Sequence, residues 1–272
     1  MRASDHPDFI EALARGLDVI VAFGTSGAPR TLSQLAEAAG VPRPTARRVL
    51  ITLAELGYVH INEGVYTLTP RVLELGTSYV SSSNIWALAR PHLTELVHRT
   101  AESCSIAQLD GSDIVYVARV AVPKLVTLSV GIGTRFPAVP TSLGKVLLAA
   151  LPEAELDTVL AQPSRSGVQA VWRPERAEID AELAQVRKQG WALTDQQLAP
   201  AIRSIAAPIR DAEGDVVAAL NINAHALETA VDVLTGRYLP WLLRAASAIS
   251  ADLTLWQSRP IATVVPDGRA AV

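Results

Sequence analysis

The sequence predicts an α+β protein of two domains joined by a helix. Two amphipathic helices and a β-hairpin follow one another near the amino terminus, and after Glu102 strand-like runs alternate with helices. With 272 residues, of which 49% are hydrophobic, the chain can form two packed cores. We expect a first domain over residues 1–80, a linker helix over 81–101, a second domain over 102–257 and a disordered tail over 258–272.

The first predicted helix runs from Phe9 to Phe23 and has one apolar side. That side carries Phe9, Leu13, Leu17, Ile20 and Val21. The apolar stripe of a surface helix normally faces the core of its domain. We therefore expect this helix to pack behind the next two helices as the third member of their core.

Residues 32–68 have the pattern of a helix, a tight turn, a second helix and a β-hairpin. In the first of these helices apolar residues recur at helical spacing, at Leu32, Leu35, Ala36 and Ala39. Gly40 ends it, the next helix begins at Arg43 or Pro44, and Gly57 ends that one. Two β-rich runs, 58–61 and 65–68, flank the turn 62–64. This order is that of a winged helix-turn-helix, which places its second helix in the major groove of DNA.

The candidate DNA-binding residues lie on the outer face of the second helix and on the wing. They are Arg43, Pro44, Thr45, Arg47, Arg48 and His60, with Asn62 as a further wing residue. Arginine binds guanine edges in a bidentate manner, and threonine contacts phosphate or a thymine methyl group. The alternative is an ordinary solvated helix face, but the surrounding helix-turn-helix and wing favour DNA.

The overall charge does not by itself predict a nucleic-acid partner. The formal net charge is −3 and the pI is about 6.0. Residues 1–77 hold seven basic and eight acidic residues. From Val41 to Ala54, however, there are three arginines and no acid. The DNA-binding prediction therefore depends on local placement, and a dimer would double the phosphate contacts.

The second domain is predicted to combine an antiparallel sheet with helices. Predicted strands cover 104–109, 114–120, 125–130, 191–194, 204–210 and 216–223, and predicted helices cover 141–150, a segment after Pro152, 175–189 and 228–256, the last interrupted near Pro240. Residues 81–84 have the composition of a linker or cap, and a helix over 85–101 would connect the domains.

A few polar residues of this domain are candidates for a ligand site. Asn221 and Asn223 project from one face of a strand, which is either a pocket wall or a solvated face, and Ser204 of a neighbouring strand could join them. The helix start at Ser142 suits an anion, although an ordinary N-cap at Thr141 explains the same pattern. Asp195 either orients a ligand hydroxyl or caps a turn.

Motifs for catalysis, metals and cofactors are missing from the sequence. Gly131-Ile132-Gly133 lacks the third glycine of a dinucleotide fingerprint, and Gly144-Lys145 lacks the rest of a P-loop. The five histidines have no ligand spacing, and the single cysteine, Cys104, excludes a disulfide framework. We therefore predict no enzyme, no metal and no cofactor. Because no signal peptide and no run of 18 apolar residues appears, we expect a cytoplasmic protein without a membrane partner.

The chain resembles the IclR family of bacterial transcriptional regulators over residues 9–256. Besides the winged helix, the segments that carry the resemblance are GTRFPA (133–138), TSLGKVLLA (141–149), GWALTDQ (190–196) and IRSIAAPI (202–209). ESCS (102–105) and DIVYVAR (113–119) resemble the PcaR-, PobR- and CatR-like branch, which controls catabolism of protocatechuate, p-hydroxybenzoate and related compounds through the β-ketoadipate pathway. The chain departs from the family pattern at Gln197, usually Glu, and at Ala201, usually Gly.

The resemblance implies a fold, an assembly and a binding pocket. It implies a GAF-like effector domain, dimers joined through the DNA-binding domains, and often tetramers. By motif position it places the effector pocket near Ser142, Leu143, Asp195, Ser204, Asn221 and Asn223.

The leading hypothesis is a transcriptional regulator whose partners are double-stranded operator DNA, a small aromatic or oxo-carboxylic acid and a second copy of itself. The acid would bias the relative placement of two DNA-binding domains through the helix over 85–101. RNA polymerase is a further candidate partner, and the DNA-bound protein would lie on the bacterial nucleoid. Two alternatives stay open: an effector-independent DNA-binding repressor, and a metabolite-binding protein or enzyme whose first domain serves only for interaction.

Overall fold

The computed structural model describes residues 6–25, 28–83, 85–123 and 130–258, in two compact units that meet between Ser82 and Ser83. The predicted strand over 125–130 falls almost wholly outside the described residues, and so does the predicted disordered tail beyond Ser258. None of the described helices is both long enough and apolar enough to cross a membrane.

The first unit is a helical core with a small antiparallel sheet. Its elements are α1 (Glu11–Ala22), β1 (Arg30–Thr31), α2 (Leu32–Ala38), α3 (Arg43–Glu55), β2 (Val59–Asn62), β3 (Val65–Leu68) and α4 (Leu73–Ser83), with single 3₁₀ turns at Phe23–Thr25 and Pro70–Val72. The sheet has the order β1-β3-β2. The predicted linker over 81–84 is therefore helical as far as Ser83, because α4 continues through the serines.

Local signals fix the helix-turn-helix. Thr31 and Gln34 form a capping box at the start of α2, in which each side chain accepts from the other residue's backbone N–H. Gly40 then adopts φ +65° and Gly57 adopts φ +80°, a region in which glycine is favoured because it lacks a Cβ. These two glycines end α2 and α3 where the sequence predicts.

The apolar face predicted for α1 is wrong except at Ile20, which packs against the first core. Val19 and Ala22 are buried in the first core, together with Leu35, Leu50 and Leu53. The predicted core residues lie largely at the surface instead: Phe9, Leu13, Leu17 and Val21 are 40–72% exposed. The helix is apolar on two sides, and only the Val19 side faces this domain. The other side carries an apolar surface that one copy of the chain leaves uncovered.

The second unit is a six-stranded antiparallel sheet with helices on both faces. Its elements are α5 (Ile85–Thr100), β4 (Ser103–Asp110), β5 (Asp113–Val120), β6 (Arg135–Pro137), α6 (Ser142–Ala150), α7 (Glu153–Leu160), α8 (Arg176–Gln189), β7 (Ala192–Asp195), β8 (Ile202–Arg210), β9 (Val216–His225) and α9 (Leu239–Gln257). The strand order is β6-β5-β4-β9-β8-β7. The predicted α+β class, with a helix-turn-helix domain and an antiparallel sheet flanked by helices, is confirmed.

The two faces of this sheet belong to different cores. Side chains alternate along a strand, so Leu220 and Ile222 of β9 join α5 and α9 on one face, whereas Ala219 joins α6 and α8 on the other. The buried centre of the first face is apolar, and His92 of α5 contacts Asp252 of α9 at 2.8 Å beside it. The second face lies under the amino terminus of α6, which makes it the candidate ligand side.

The last helix is interrupted before Pro240, as the sequence predicts. Residues Val233–Tyr238 form a π-helical turn, and α9 then runs from Leu239 to Gln257. Proline has no N–H with which to continue the α-helical hydrogen bonding, and a π turn is one way to absorb the missing bond.

Candidate functional site

The outer face of α3 is a cationic surface. Ala46, Leu50 and Leu53 point into the core, which leaves Arg43, Pro44, Arg47 and Arg48 exposed and Thr45 half-buried. Among the described residues no carboxylate pairs with Arg47 or Arg48. Two uncompensated guanidinium groups on one recognition-helix face suit phosphates or guanine edges.

Arg43 has a structural contact in addition to its exposure. Its guanidinium donates to the Ser33 hydroxyl of α2, which joins the two helices of the motif. Arg43 is therefore tied to α2 at the turn between the helices. Arg47 and Arg48, one turn further along α3, are free to reach a ligand.

The wing places His60 at the surface. β2 and β3 pair with Asn62 opposite Val65, and the two residues between them, Glu63 and Gly64, have φ of +47° and +80°. Positive φ at both central positions is the type I′ turn that fits a twisted hairpin. His60 is exposed on β2 opposite Thr67, and its imidazole can meet the DNA backbone beside the groove that α3 would occupy.

In the second unit a chain of hydroxyl groups joins α6 to the sheet. The Ser142 and Ser204 oxygens are 2.6 Å apart, and the Ser204 and Thr194 oxygens are 3.0 Å apart. All three side chains are buried. Ser142 is the first residue of α6, Ser204 lies on β8 and Thr194 on β7, so three elements meet at this point.

The amino terminus of α6 is held in place by its cap and by a glycine. The Thr141 hydroxyl accepts from the backbone N–H of Gly144 at 3.0 Å. A Cβ at Gly144 would lie 2.0 Å from the Ala138 carbonyl oxygen, so only glycine fits there. Among the described residues no acceptor binds the backbone N–H of Ser142 or Leu143. Free N–H groups at a helix start favour an anion.

The asparagines lie on the same face of the sheet. In the strand register Asn223 is opposite Ser204, and Asn221 is opposite Ser105 of β4. The Asn221 side-chain oxygen accepts from the Ser105 N–H at 3.1 Å. In the part of the chain that the structure describes, neither the Asn221 amide nitrogen nor the Asn223 side chain makes a hydrogen bond. Both amides therefore retain hydrogen-bonding capacity.

Leu143 and Asp195 differ in their placement. Leu143 is 1% exposed and belongs to the core beside this face. Asp195 projects from the opposite face of β7, because it is adjacent in sequence to Thr194. There it binds Arg203 through two contacts of 2.8 Å, and this ion pair lowers the pKa of the Asp195 carboxyl. The structure thus brings together Ser142, Leu143, Ser204, Asn221 and Asn223, but not Asp195.

Lys145, the lysine of the Gly144-Lys145 pair, has a structural role. Its ammonium group is buried and contacts Glu182 and Gln197, each at 2.7 Å, and lies 4.5 Å from the centre of the Trp172 ring. The resemblance places a glutamate at position 197. Here a neutral amide accepts from Lys145, and Glu182 alone supplies the negative charge.

Sequence reasoning missed three residues of this face: Ser105, Thr194 and Arg119. Arg119 lies on β5 opposite Ser105, and its Nη1 donates to the Ser105 hydroxyl at 2.9 Å. The available signal was an arginine near the end of an otherwise apolar strand. The register across three strands, which brings it to the asparagines, is visible only in the fold.

Comparisons with known proteins agree on the family. Residues 77–251 match the family described as "Bacterial transcriptional regulator IclR C-terminal", and residues 12–62 match the "IclR helix-turn-helix domain". The Pca regulon regulatory protein of Pseudomonas putida is 39% identical over 88% of this chain and 83% of its own length.

Two crystal structures show the same fold. A transcriptional regulator from Rhodococcus sp. RHA1 is 45% identical, with a TM-score of 0.78 over 91% of this chain and 100% of that one. An IclR homologue from Microbacterium hydrocarbonoxydans in complex with 4-hydroxybenzoate is 26% identical, with a TM-score of 0.76 over 90% of this chain and 99% of that one. The Pseudomonas and Rhodococcus proteins are named as regulators. With its helix-turn-helix unit and its α+β unit, this chain belongs to the IclR family of DNA-binding bacterial transcriptional regulators.

Proposed function

We propose that this protein binds operator DNA as a homodimer through α3 and the wing, and that a small aromatic or oxo-carboxylic acid in the second unit controls this binding. The observation that carries the proposal is the exposed face of α3, where Arg47 and Arg48 have no carboxylate partner in the described chain. We place the protein in the bacterial cytoplasm, on the nucleoid when bound to DNA. RNA polymerase is a partner where the operator lies beside a promoter that the protein activates.

The DNA contacts proposed are those of Arg43, Pro44, Thr45, Arg47, Arg48 and His60. Arg47 and Arg48 reach base edges or phosphates. Arg43, held by Ser33, fixes the entry of α3 and contacts the backbone. Since the net charge of the chain is −3, nonspecific attraction is weak, and specificity has to come from these local contacts.

The uncovered side of α1 supports the homodimer. A groove of about 500 Å³ between α1 and α3 has an apolar part formed by residues such as Leu13, Leu17 and Leu56, each at least half exposed, and a polar edge that includes Thr45 and Arg48. Exposed apolar patches of this kind mark interaction sites. A second copy presents the same patch, so a two-fold contact would cover both. The two recognition helices would then read two halves of a palindromic operator.

The effector contacts proposed are Ser142, Leu143, Ser204, Asn221 and Asn223. The free N–H groups at the start of α6, the amide of the buried Asn221 and that of the half-buried Asn223 are polar groups on one face, which is the usual composition of a small-molecule site. The similarity to the 4-hydroxybenzoate complex supports an aromatic acid. We leave Asp195 outside this set because Arg203 already binds it.

Fluorescence anisotropy tests the proposal. The DNA is the region upstream of the protein's own gene and of its divergent neighbour, with a scrambled fragment as control. Each titration is repeated with 4-hydroxybenzoate, protocatechuate and a β-keto acid. We expect sequence-dependent binding that one acid changes. Binding that no acid changes would support an effector-independent repressor, and failure to prefer any upstream fragment over scrambled DNA would contradict the operator part of the proposal.

A further inference from the structure

Arg119 is a half-buried cation on the polar face of the second sheet. It lies opposite Ser105 on β4, which in turn lies opposite Asn221 on β9. Its Nη1 is bound to the Ser105 hydroxyl, so the guanidinium extends over β4 toward the asparagines. Its Nε is buried and has no hydrogen-bond partner among the described residues.

No carboxylate in the described chain compensates this charge. Several other arginines of the same unit are paired with carboxylates: Arg135 with Asp110 and Asp113, Arg176 with Asp157 and Asp180, and Arg203 with Asp195. Burial lowers the pKa of the Arg119 guanidinium, and the groups that act against this are Tyr116 and Cys104. A buried charge without a partner destabilises a fold, and buried polar groups normally have partners. An arginine in this state is therefore suited to an external anion.

The free edge of Arg119 has the geometry for a carboxylate. In this protein Arg203 binds the two oxygens of Asp195 through Nε and Nη2. In Arg119 the corresponding Nε–Nη2 edge is unused, because the bond to Ser105 is made by Nη1. A carboxylate placed against that edge would form the same bidentate pair, which is the strong form of an arginine–carboxylate contact.

We propose that Arg119 binds the carboxylate of the effector, on the β5 side of the sheet. This inference rests on the proposed function, since it names the residue that holds the acid group. The start of α6 and the hydroxyl groups of Ser142, Ser204 and Thr194 then take the other polar end of the ligand. The asparagine amides lie between the two ends.

The distance between the Arg119 side of the site and the hydroxyl groups at the start of α6 selects the class of acid. Ser105 on β4 and Ser204 on β8 are two strand spacings apart, about 10 Å, and are offset by two residues along the strands, about 7 Å, so the distance between them is about 12 Å. A two- or three-carbon oxo acid cannot span that distance, whereas an aromatic acid with a hydroxyl group opposite its carboxylate can. Tyr116 and Phe136, packed edge to face at 5.8 Å, provide apolar surface further along β5.

Calorimetric titration of the full-length protein tests the assignment. The probes are 4-hydroxybenzoate and its neutral analogue 4-hydroxybenzamide, and the proteins are wild type, Arg119→Gln and Arg119→Lys. We expect wild type to prefer the acid, and Arg119→Gln to bind the acid about 30-fold more weakly or worse while its affinity for the amide changes little. Arg119→Lys keeps the charge but loses the bidentate edge, so it should retain part of the preference.

The matched control is Arg135→Gln, which removes a paired arginine of the same sheet. We expect it to lower the melting temperature of the ligand-free protein and to keep the preference for the acid. Arg119→Gln should not lower the ligand-free melting temperature, because it removes an uncompensated charge. If Arg119 had a structural role, Arg119→Gln would lower the melting temperature of the ligand-free protein. This measurement therefore separates a binding role from a structural one.

Three outcomes contradict the inference and can be told apart. If Arg119→Gln discriminates acid from amide as wild type does, the carboxylate lies elsewhere, for example at the start of α6, and the proposed function stands. If Arg119→Gln unfolds at lower temperature and Arg119→Lys restores both stability and full affinity, the residue is structural. If wild type binds none of 4-hydroxybenzoate, protocatechuate and a β-keto acid, the effector part of the proposed function fails together with the inference.

Discussion

The side-chain oxygens of Ser142 and Ser204 lie 2.6 Å apart, although 62 residues separate them in the chain. The contact ties the first residue of α6 to β8, and Thr194 continues it to β7. All three hydroxyl groups are buried, and each can act as donor or acceptor. They can therefore exchange bonds with a ligand without leaving a buried group unsatisfied.

Ser204→Ala removes the central hydroxyl group of the chain, so the hydroxyl groups of Ser142 and Thr194 each lose a hydrogen-bond partner. We expect the free energy of unfolding to fall by about 1–3 kcal/mol, as for an unsatisfied buried polar group. Urea unfolding measures this change, and Ser258→Ala, at an exposed serine, is the control. Binding of 4-hydroxybenzoate should also weaken. An unchanged affinity would remove Ser204 from the proposed site.

Arg47→Ala tests the recognition helix. If Arg47 contacts a base, the variant should lose about 1–3 kcal/mol on the operator and little on scrambled DNA. An equal loss on both would identify a phosphate contact instead, accompanied by a smaller dependence on salt concentration. Arg173→Ala, at an exposed arginine of the second unit, is the control and should bind as wild type does. Anisotropy at several salt concentrations measures all three proteins.

Leu17→Asp tests the proposed dimer. The Leu17 side chain is 50% exposed on the uncovered face of α1, so a charge there leaves one chain stable but opposes burial against a second copy. If the first units no longer pair and no other contact joins the copies, light scattering should give the 28.9 kDa of a single chain. If other contacts between copies persist, the assembly should still be smaller than that of wild type. Operator affinity should fall as well. Leu227→Asp, at a leucine that is 89% exposed, should change neither property.

Stability should depend on pH through Lys145. Burial lowers the pKa of its ammonium group despite the contact with Glu182, so the folded state releases this proton before the unfolded state does. Stability therefore rises with pH between the lowered folded pKa and the unfolded value of about 10.4. In denaturant titrations from pH 7 to pH 10, wild type should gain stability relative to Lys145→Met over that window. A fall in the stability of wild type relative to Lys145→Met as pH rises would contradict this sign.

Cys104 should be unreactive in the folded protein. Its thiol is fully buried in β4, and burial together with Glu102 raises its pKa far above neutral. Because the thiolate is the reactive form, a thiol reagent at pH 8 should modify the native protein only as it unfolds. The measurement is the rate of labelling with and without denaturant. Rapid labelling of the native protein would contradict the burial of this residue.

Much of the first unit is predictable because its signals are local. The capping box at Thr31, the glycines at positions 40 and 57 and the turn at Glu63-Gly64 act within a few residues of chain. The side of α1 that faces the core was not predictable in this way. Both sides are apolar, and a helical pattern does not distinguish a domain core from a surface left for a partner.

In the second unit, too, local patterns predict some features and the fold decides the others. Strand alternation alone places Asn221 and Asn223 on one face, but it cannot say which residues of other strands face them. The register brings Arg119 and Ser105 to Asn221, and it sends Asp195 to the opposite face to pair with Arg203. These relationships involve residues 8 to 116 positions apart. A shift of the register by one residue would place each side chain on the other face of the sheet.

The sequence by itself determined the α+β class, the helix-turn-helix and the cationic outer face of α3, because each follows from spacing, capping and turn chemistry within short segments. Only the tertiary structure decided that α1 keeps an apolar side uncovered, that the buried Lys145 pairs with Glu182, and that Arg119 is a half-buried cation for which the described chain provides no carboxylate. Those properties depend on which distant side chains surround a residue, and burial, pairing and charge compensation exist only once the chain has folded.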